Sequence, residues 1–230
     1  MHRKGAQDAK RAKIFTKIIR EITVAVQLGG GDAESNPRLR TALLAARSAN
    51  MPKDNVDRAI KKGLGETDGA SYSEMRYEGY GPGGTAFLVE ALSDNKNRTA
   101  AEVRACFSKH GGNMGESGSV SFMFKHHGLI VYPLSIDEEK LLDAALEGGA
   151  ENFDRTDDGF MIDVSRSEWL ALREALEQEF GPALHAAIEW TPETTIDPGD
   201  KVQSVEKLMQ ALEENDDVQA VWHNAKISSN

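Results

Sequence analysis

Residues 77–84 read YEGYGPGG, residues 86–92 read AFLVEAL and residues 111–118 read GGNMGESG. Glycine at this density on both sides of an apolar run is typical of tight turns between strands, because glycine adopts positive φ at little cost. Residues 93–110 begin as a polar loop and continue with helical character. We therefore predict two strands joined by a glycine turn, then a helix, a glycine loop and a further strand over 120–124.

The charges of the chain are divided unevenly along its length. Residues 1–66 contain 14 Lys or Arg and 7 Asp or Glu, a net charge of +7, whereas residues 67–230 contain 13 and 30, a net charge of −17. A basic segment beside an acidic body indicates that the basic part meets an anionic partner. The overall net charge of −10 conceals this division.

Composition indicates a folded protein of a reducing compartment. With 40% hydrophobic and 28% charged residues the chain is too apolar for disorder, and its apolar runs are far shorter than the ~20 residues that span a bilayer. Cys106 is the only cysteine, so an internal disulfide cannot form. The polar and basic N-terminus is not followed by the apolar segment of a secretory signal. We expect a cytoplasmic protein without a membrane partner.

The basic segment has the pattern of three helices. Apolar residues recur at helical spacing over 6–27. The opposite side of this helix carries Lys10, Lys13, Lys17 and Arg20. Asn36 followed by Pro37 predicts an N-cap and the first position of a second helix. A third helix is predicted to start near Pro52 and to end in a glycine cap at Gly63.

The remaining pattern predicts two α/β modules. Thr99 with Glu102 has the spacing of a capping box, which predicts a helix from there to Lys109. From residue 128 the order is strand, helix, strand, strand, helix, strand, the ferredoxin-like pattern. Residues 201–226 supply one helix and one strand, too little for a domain. We therefore predict that this last segment completes the central module.

Together these patterns predict an α+β fold with an N-terminal three-helix bundle followed by two ferredoxin-like α/β modules, one inserted in the other. The predicted domains are 1–66 (basic and helical), 72–127 plus 201–226 (central, α/β and discontinuous) and 128–192 (the acidic, ferredoxin-like insertion).

Several motifs resemble those of the YebC/PmpR family. They are found at residues 2–4, 7–11, 13–17, 29–32, 36–40, 77–84, 93–99 and 111–113. The resemblance covers nearly the whole chain and implies a helical N-terminal domain followed by two α/β domains. It also implies a bacterial or organellar regulator of gene expression. The family is described both as DNA-binding transcriptional regulators and as ribosome-associated translation factors.

The basic helix face and the donor-rich loop before the central helix are candidate contacts for nucleic-acid phosphates. A charged stripe alone is more often a solvated helix face, and an Asn-rich loop more often serves capping. The charge excess of the first 66 residues and the resemblance favour binding, to DNA or to ribosomal RNA. The candidate residues are Arg3, Lys4, Lys10, Arg11, Lys13, Lys17, Arg20, Arg38, Arg40, Asn95, Lys96, Asn97, Arg98, Arg104 and Lys109.

The sequence offers no catalytic or metal-binding pattern. Residues 111–118 lack the Gly-Lys-Ser/Thr of a Walker loop, and the adjacent His126 and His127 would point to opposite faces of a strand. We expect no cofactor, no metal and no small-molecule substrate, hence a non-enzymatic regulator. Two alternatives are an enzyme that uses the glycine-rich centre and a protein–protein adaptor. In the adaptor, a protein partner would bind the acidic domain.

Overall fold

The structure is a computed structural model that describes residues 2–67 and 71–227, with side chains from residue 5 onward. Residues 123–193 form one compact unit, the inserted unit, and the other described residues form the main unit. In chain order the elements are α1 (His2–Gly29), α2 (Pro37–Ser48), α3 (Lys53–Gly63), β1 (Ser73–Tyr80), β2 (Ala86–Ser93), α4 (Lys96–Lys109), β3 (Asn113–Met114), β4 (Phe124–Tyr132), α5 (Glu138–Glu147), β5 (Asn152–Thr156), β6 (Gly159–Val164), α6 (Arg166–Phe180), β7 (His185–Pro192), α7 (Val202–Glu214) and β8 (Val218–His223).

Helices α1, α2 and α3 form a bundle, as predicted. Its core includes Ile22 and Val26 of α1 and Leu39 of α2, all of them buried. The predicted N-cap of α2 is confirmed, because the Asn36 side chain accepts a hydrogen bond from the Leu39 amide at 3.1 Å. The Asn36 amide group also donates to the Ala25 carbonyl at 2.8 Å, which fixes the end of α1 against the start of α2.

The end of α3 differs from the prediction of a glycine cap at Gly63. Gly63 is the last helical residue, and the left-handed glycine is Gly65, with φ of 79°. Gly63 is needed for a different reason. A Cβ atom there would lie 2.6 Å from Val26 Cβ and 2.7 Å from the Thr23 carbonyl oxygen, so its small size allows α3 to pack against α1.

The main unit contains a four-stranded antiparallel sheet in the order β3-β1-β2-β8. One core joins the sheet to helices α4 and α7 and includes Phe87 and Val89 of β2, Phe107 of α4, and Leu208 and Leu212 of α7. Strand β8 pairs with β2 although residues 123–193 lie between them in sequence. The last helix and strand of the chain therefore complete a sheet that starts at β1.

Helix α4 begins one turn earlier than the capping-box pattern predicted. Its N-cap is Asn95, whose side chain accepts from the Arg98 amide at 3.0 Å. Thr99 lies buried inside the helix and donates its hydroxyl to Asp217 at 2.7 Å. The prediction that Thr99 and Glu102 start the helix was wrong because Asn95 has the same capping chemistry one turn upstream.

The strand predicted over 120–124 is also wrong. Residues 121–123 form a single 3-10 turn, and the strand is β4, which starts at Phe124. Residue 128 was the predicted start of a strand, yet Gly128 lies inside β4, against the side chain of Trp169. A Cβ at Gly128 would come within 2.4 Å of Trp169 Cδ1, so glycine is required there for packing.

The inserted unit has the sheet order β5-β6-β4-β7 with helices α5 and α6, the ferredoxin-like arrangement that the sequence predicted. The hairpin between β5 and β6 turns at residues 157–158, and Ser165 caps α6. With two four-stranded sheets and an N-terminal helical region, the structure confirms the α+β fold class. Among the described residues, no helix is long and apolar enough to cross a membrane.

Replacing Gly63 by alanine tests the packing of α1 against α3. The added methyl group would collide with Val26 and the Thr23 carbonyl, so we expect Gly63→Ala to lower the free energy of unfolding by about 1–3 kcal/mol in urea denaturation. Gly5→Ala is the matched control, because Gly5 lies in α1 and a Cβ there would meet nothing within 4 Å. A destabilisation of equal size in both variants would contradict this account.

Candidate nucleic-acid interface

A buried carboxylate connects the basic helix α1 to the central sheet. The Asp217 side chain, 5% exposed, lies in the turn between α7 and β8. It accepts hydrogen bonds from Arg20 of α1 at 2.5 Å, from Arg98 of α4 at 2.9 Å and from Thr99 of α4 at 2.7 Å. Three segments that are distant in sequence therefore meet at one carboxyl group.

Backbone bonds reinforce this junction. Arg20 also donates to the Leu92 carbonyl at 2.9 Å, and the Leu92 amide donates to the Asp217 carbonyl at 2.8 Å. The guanidinium of Arg20 lies over the ring of Tyr72, 5.1 Å from its centroid, and its side chain is 14% exposed. Arg20 is thus held on several sides by contacts within the main unit.

The partners of Asp217 stabilise its ionised form. Burial alone would raise the pKa of the carboxyl group, but hydrogen bonds from Arg20, Thr99 and Arg98 outweigh burial and hold the pKa below its ordinary value of 3.8. The carboxylate therefore stays charged, and charge-assisted hydrogen bonds of this kind are stronger than neutral ones.

Two lysines of α1 bind the C-terminal end of α7. Lys13 Nζ donates to the Glu214 carbonyl at 2.5 Å, and Lys17 Nζ donates to the Glu213 carbonyl at 2.9 Å. The last carbonyls of a helix lack partners inside the helix and form the negative end of its dipole, so ammonium groups are favourable there. Burial lowers the pKa of Lys17, while the carboxylate of Glu213 acts in the opposite direction.

The predicted basic stripe of α1 thus divides into two parts. Lys13, Lys17 and Arg20 have partners within the main unit, whereas Lys10 is exposed and makes no ion pair with the described residues. Arg11 is exposed as well, and its guanidinium lies 5.2 Å from the centre of the Phe15 ring. The side chains of the other two candidates in α1 lie outside the described residues. They are Arg3 and Lys4.

The N-terminal end of α4 presents its polar residues to solvent. Lys96 and Asn97 are exposed in the first turn of the helix, next to the N-cap Asn95. Arg98 is 43% exposed although it bonds to Asp94 and Asp217. Arg104 is exposed two turns further along the same helix.

The same turn of the chain contacts both α1 and α4. Residues 213–217 contact α1 through Lys13, and Asn215 of this turn donates to Glu102 of α4 at 2.7 Å. We call the exposed cations of α1 and of the start of α4 the α1–α4 surface. Its members are Lys10, Arg11, Lys96 and Arg98. Arg104 lies further along α4, towards Lys109.

Three further candidates lie elsewhere. Arg38 bridges Glu21 at 2.7 Å and Glu74 at 2.6 Å, which connects α1, α2 and β1. Arg40 donates to the carbonyls of residues 33 and 34, just before α2. Lys109 lies at the opposite end of α4 from Arg98, in a separate groove.

Sequence reasoning missed the role of Glu78 in the glycine-rich motif. The Glu78 carboxylate is fully buried and accepts the backbone amides of Gly118, Val120 and Ser121 at 2.6, 3.1 and 2.6 Å. Burial would raise the pKa of Glu78, but these hydrogen bonds lower it below its ordinary value. The acidic residue among turn-forming glycines was the available signal, and it indicates a carboxylate that orders a loop.

The cysteine and the possible metal ligands among the described residues are not arranged as a reactive thiol or a metal site. Cys106 is half-buried in α4, and burial raises the pKa of its thiol, which disfavours the reactive thiolate. Among the residues that the structure describes, no group of three or more His, Cys, Asp or Glu side chains is arranged to hold a metal ion.

Sequence profiles from one protein family match the chain in two parts. The TACO1/YebC protein N-terminal domain matches residues 1–66, and the TACO1/YebC second and third domain matches residues 72–225. A helical N-terminal region followed by two α/β parts is also what the structure contains. The chain belongs to the TACO1/YebC family, which confirms the resemblance that its motifs indicated.

Relatives in this family bear the name probable transcriptional regulatory protein. The protein from a Geobacter species is 52% identical over 228 residues, which covers 99% of this chain and 92% of the relative. The protein from Treponema denticola is 50% identical over 228 residues, with 98% and 92% covered. The crystal structure of a conserved hypothetical protein from Aquifex aeolicus is similar, with a TM-score of 0.85, 48% identity, and 97% and 93% covered.

Removing the charge of Asp217 tests the junction. Asp217→Asn leaves Arg20 partly buried without its counter-ion, so we expect the free energy of unfolding at pH 7 to fall by about 3 kcal/mol in urea denaturation. The adjacent Asp216→Asn is the matched control, since Asp216 is 65% exposed and contacts only Lys13 at 3.7 Å among the described residues. We expect it to change stability by less than about 0.5 kcal/mol.

The lowered pKa of Asp217 also predicts how the stability effect of Asp217→Asn depends on pH. Because the folded-state pKa lies below 3.8, the stabilisation is complete above that value and is lost as the pH falls through the folded pKa. We therefore expect the stability difference between wild type and Asp217→Asn to be constant from pH 7 to about 5 and to shrink below about pH 4. A difference that grows on acidification would contradict the assignment.

Proposed function

We propose that this protein is a non-enzymatic regulator of gene expression that binds nucleic acid through the α1–α4 surface. Its relatives bear the name probable transcriptional regulatory protein, which favours DNA as the ligand and transcription as the output. The observation that carries the proposal is that α1 and α4, which both have exposed cations, contact the same turn of the main unit.

The distribution of charge between the units supports this assignment. The inserted unit contains 5 basic and 16 acidic residues, a net charge of −11, whereas the main unit contains 22 and 21, a net charge of +1, so the net negative charge of the chain lies in the inserted unit. A polyanion would be repelled by the inserted unit and attracted to the basic segment of the main unit. The acidic inserted unit is correspondingly the part that we propose for contact with a protein partner.

The candidate residues divide into those that would touch phosphates and those that would shape the surface. Lys10 and Arg11 have exposed charges, and Lys96 and Asn97 lie at the positive N-terminal end of α4, where anions are favoured. Lys13 and Lys17 donate to backbone carbonyl groups, but the carboxylates of Asp216 and Glu213 lie close to them and offset part of their positive charge.

The arginines with internal partners would shape the surface. Arg20 fixes α1 on the sheet through Asp217, Arg38 bridges two glutamates, and Arg40 holds the segment before α2. We propose that these three residues act on binding indirectly, by keeping the basic helices in position. Their replacement would lower stability and affinity together.

Substitution of the two exposed cations of α1 tests the proposal without breaking the fold. We expect Lys10→Gln/Arg11→Gln to lower affinity for duplex DNA about tenfold and to reduce the slope of log K against log salt by about 0.9 for each phosphate that the variant no longer neutralises. Fluorescence anisotropy at several salt concentrations measures both quantities. Lys140→Gln/Arg166→Gln on the inserted unit is the matched control, because both residues are exposed and the charge change is the same. Unchanged affinity and slope would exclude this surface as the site.

Co-sedimentation with ribosomes in the presence of excess duplex DNA identifies the class of nucleic acid. Release of the full chain into the DNA-bound pool supports the transcriptional assignment. Retention on ribosomes would replace it by binding to ribosomal RNA and a role in translation. Binding to neither would contradict the proposed function and favour an adaptor that works through the acidic unit.

A further inference from the structure

A basic groove lies in the main unit, away from the α1–α4 surface. Its volume is about 650 Å³. The side chains and backbone that line it include Gly83, Lys109, His110, Lys201, Ser204 and Lys207. It thus has three ammonium groups and, among the described residues of its lining, no carboxylate.

The antiparallel packing of α4 and α7 fixes where the groove lies. Glu102, in the first half of α4, contacts Asn215 just after α7, and Cys106 lies 3.9 Å from the carbonyl of Ala211. The C-terminal residue of α4, Lys109, therefore meets Ser204 near the start of α7. Since Ser204 and Glu214 are ten residues apart in α7, at 1.5 Å per residue, Ser204 lies about 15 Å from the turn 213–217.

The positive charges of the groove are not neutralised inside the main unit. Lys109 and Lys207 are exposed and form no ion pair with the described residues. Lys201 is 3.8 Å from Asp200, whose side chain is 88% exposed and therefore strongly solvated. Three lysines around one concavity repel each other, and an anion between them would relieve that repulsion.

The start of α7 points to the same ligand chemistry. Lys201 occupies the N-cap position, makes no side-chain capping bond, and is not followed by an acidic residue in the first turn of the helix. A cation at the positive end of a helix dipole is electrostatically unfavourable. An anion in the groove would offset this repulsion.

Two glycine turns leave bare backbone on the wall of the groove. Gly83 and Gly111 both have positive φ, 71° and 77°, and belong to the two glycine-rich motifs of the sequence. A Cβ at Gly83 would also lie 3.1 Å from Pro198, so a larger residue is disfavoured twice. Backbone without side chains allows a ligand to approach closely, as it does in many phosphate-binding loops.

From these features we infer that the groove is a phosphate-binding site, and that the phosphates it takes are those of a nucleic-acid backbone. The assignment of these phosphates to a nucleic acid rests on the proposed function, whereas the assignment of the groove as a phosphate site does not. It adds a contact about 15 Å along α7 from the turn that joins α1 and α4, so one nucleic acid could bind both. Lys109, Lys201 and Lys207 would pair with phosphate oxygens.

The test is salt-dependent binding of duplex DNA, or of ribosomal RNA if co-sedimentation selects it, to Lys109→Gln/Lys207→Gln in the full chain. We expect affinity to fall five- to tenfold, with a reduced salt slope. Lys125→Gln/Lys140→Gln on the inserted unit is the control and should match wild type. Combined with Lys10→Gln/Arg11→Gln, the fold-changes should multiply, because the sites are too far apart to interact directly. If wild type binds nucleic acid and the groove variant keeps its affinity and salt slope, the inference is wrong.

If wild type binds no nucleic acid, so that the proposed function fails, a separate probe still tests whether the groove binds phosphate. Inorganic tripolyphosphate is titrated into the isotopically labelled chain, and the amide resonances of Gly83, Gly111 and Ser204 are followed. Shifts that vanish in Lys109→Gln/Lys207→Gln would support a phosphate site that serves a free phosphorylated ligand. Absence of shifts would overturn the groove as a phosphate site.

Discussion

The carboxylate of Asp217 receives donors from α1 and from α4, and it lies in the turn that precedes the last strand. Because two guanidinium groups and one hydroxyl group share this acceptor, removal of the carboxylate would leave the largely buried Arg20 without its counter-ion, which costs more than the pair itself contributes. The orientation of the basic helix on the sheet depends in part on this group, together with the contacts of Lys13 and Lys17 with α7. An acidic residue far away in sequence therefore helps to position the proposed binding surface.

Basic residues in this protein have two kinds of surroundings, and sequence does not distinguish them. Lys13 and Lys17 complete the C-terminal end of α7, while Lys10, only one turn earlier on α1, is exposed. A stripe of cations on one helix face can therefore serve folding over part of its length and binding over the rest. Substitution of the whole stripe would mix loss of stability with loss of affinity, whereas substitution of Lys10 and Arg11 separates them.

Local chemistry was readable from the sequence, and long-range partners were not. The bundle helices, the Asn36 cap and the ferredoxin-like insertion follow from periodicity and turn residues, which act over a few positions. Thr99 was misread as a cap because its partner, Asp217, is distant in sequence. The strand predicted to start at residue 128 starts at Phe124, and Gly128 lies inside it because it packs against Trp169. Of the candidate site, Lys10 lies exposed on α1 as predicted, whereas Lys96 was predicted in a loop and is the first residue of α4. The pairing of Arg20 and Arg38 with carboxylates required the fold.

Strand β8 pairs with β2, although the whole inserted unit lies between them in sequence. The pairing therefore fixes the order in which parts of the protein can fold during synthesis. When the ribosome has made residues up to 193, the nascent chain holds a complete inserted unit but a central sheet with one open edge at β2. An open, apolar strand edge is a template for wrong pairing. The nascent protein therefore has to keep β2 shielded until residues 218–223 emerge, and the same few residues deliver Asp217 and dock α1. Slow translation of the last segment would prolong the aggregation-prone stage, and fast release would shorten it.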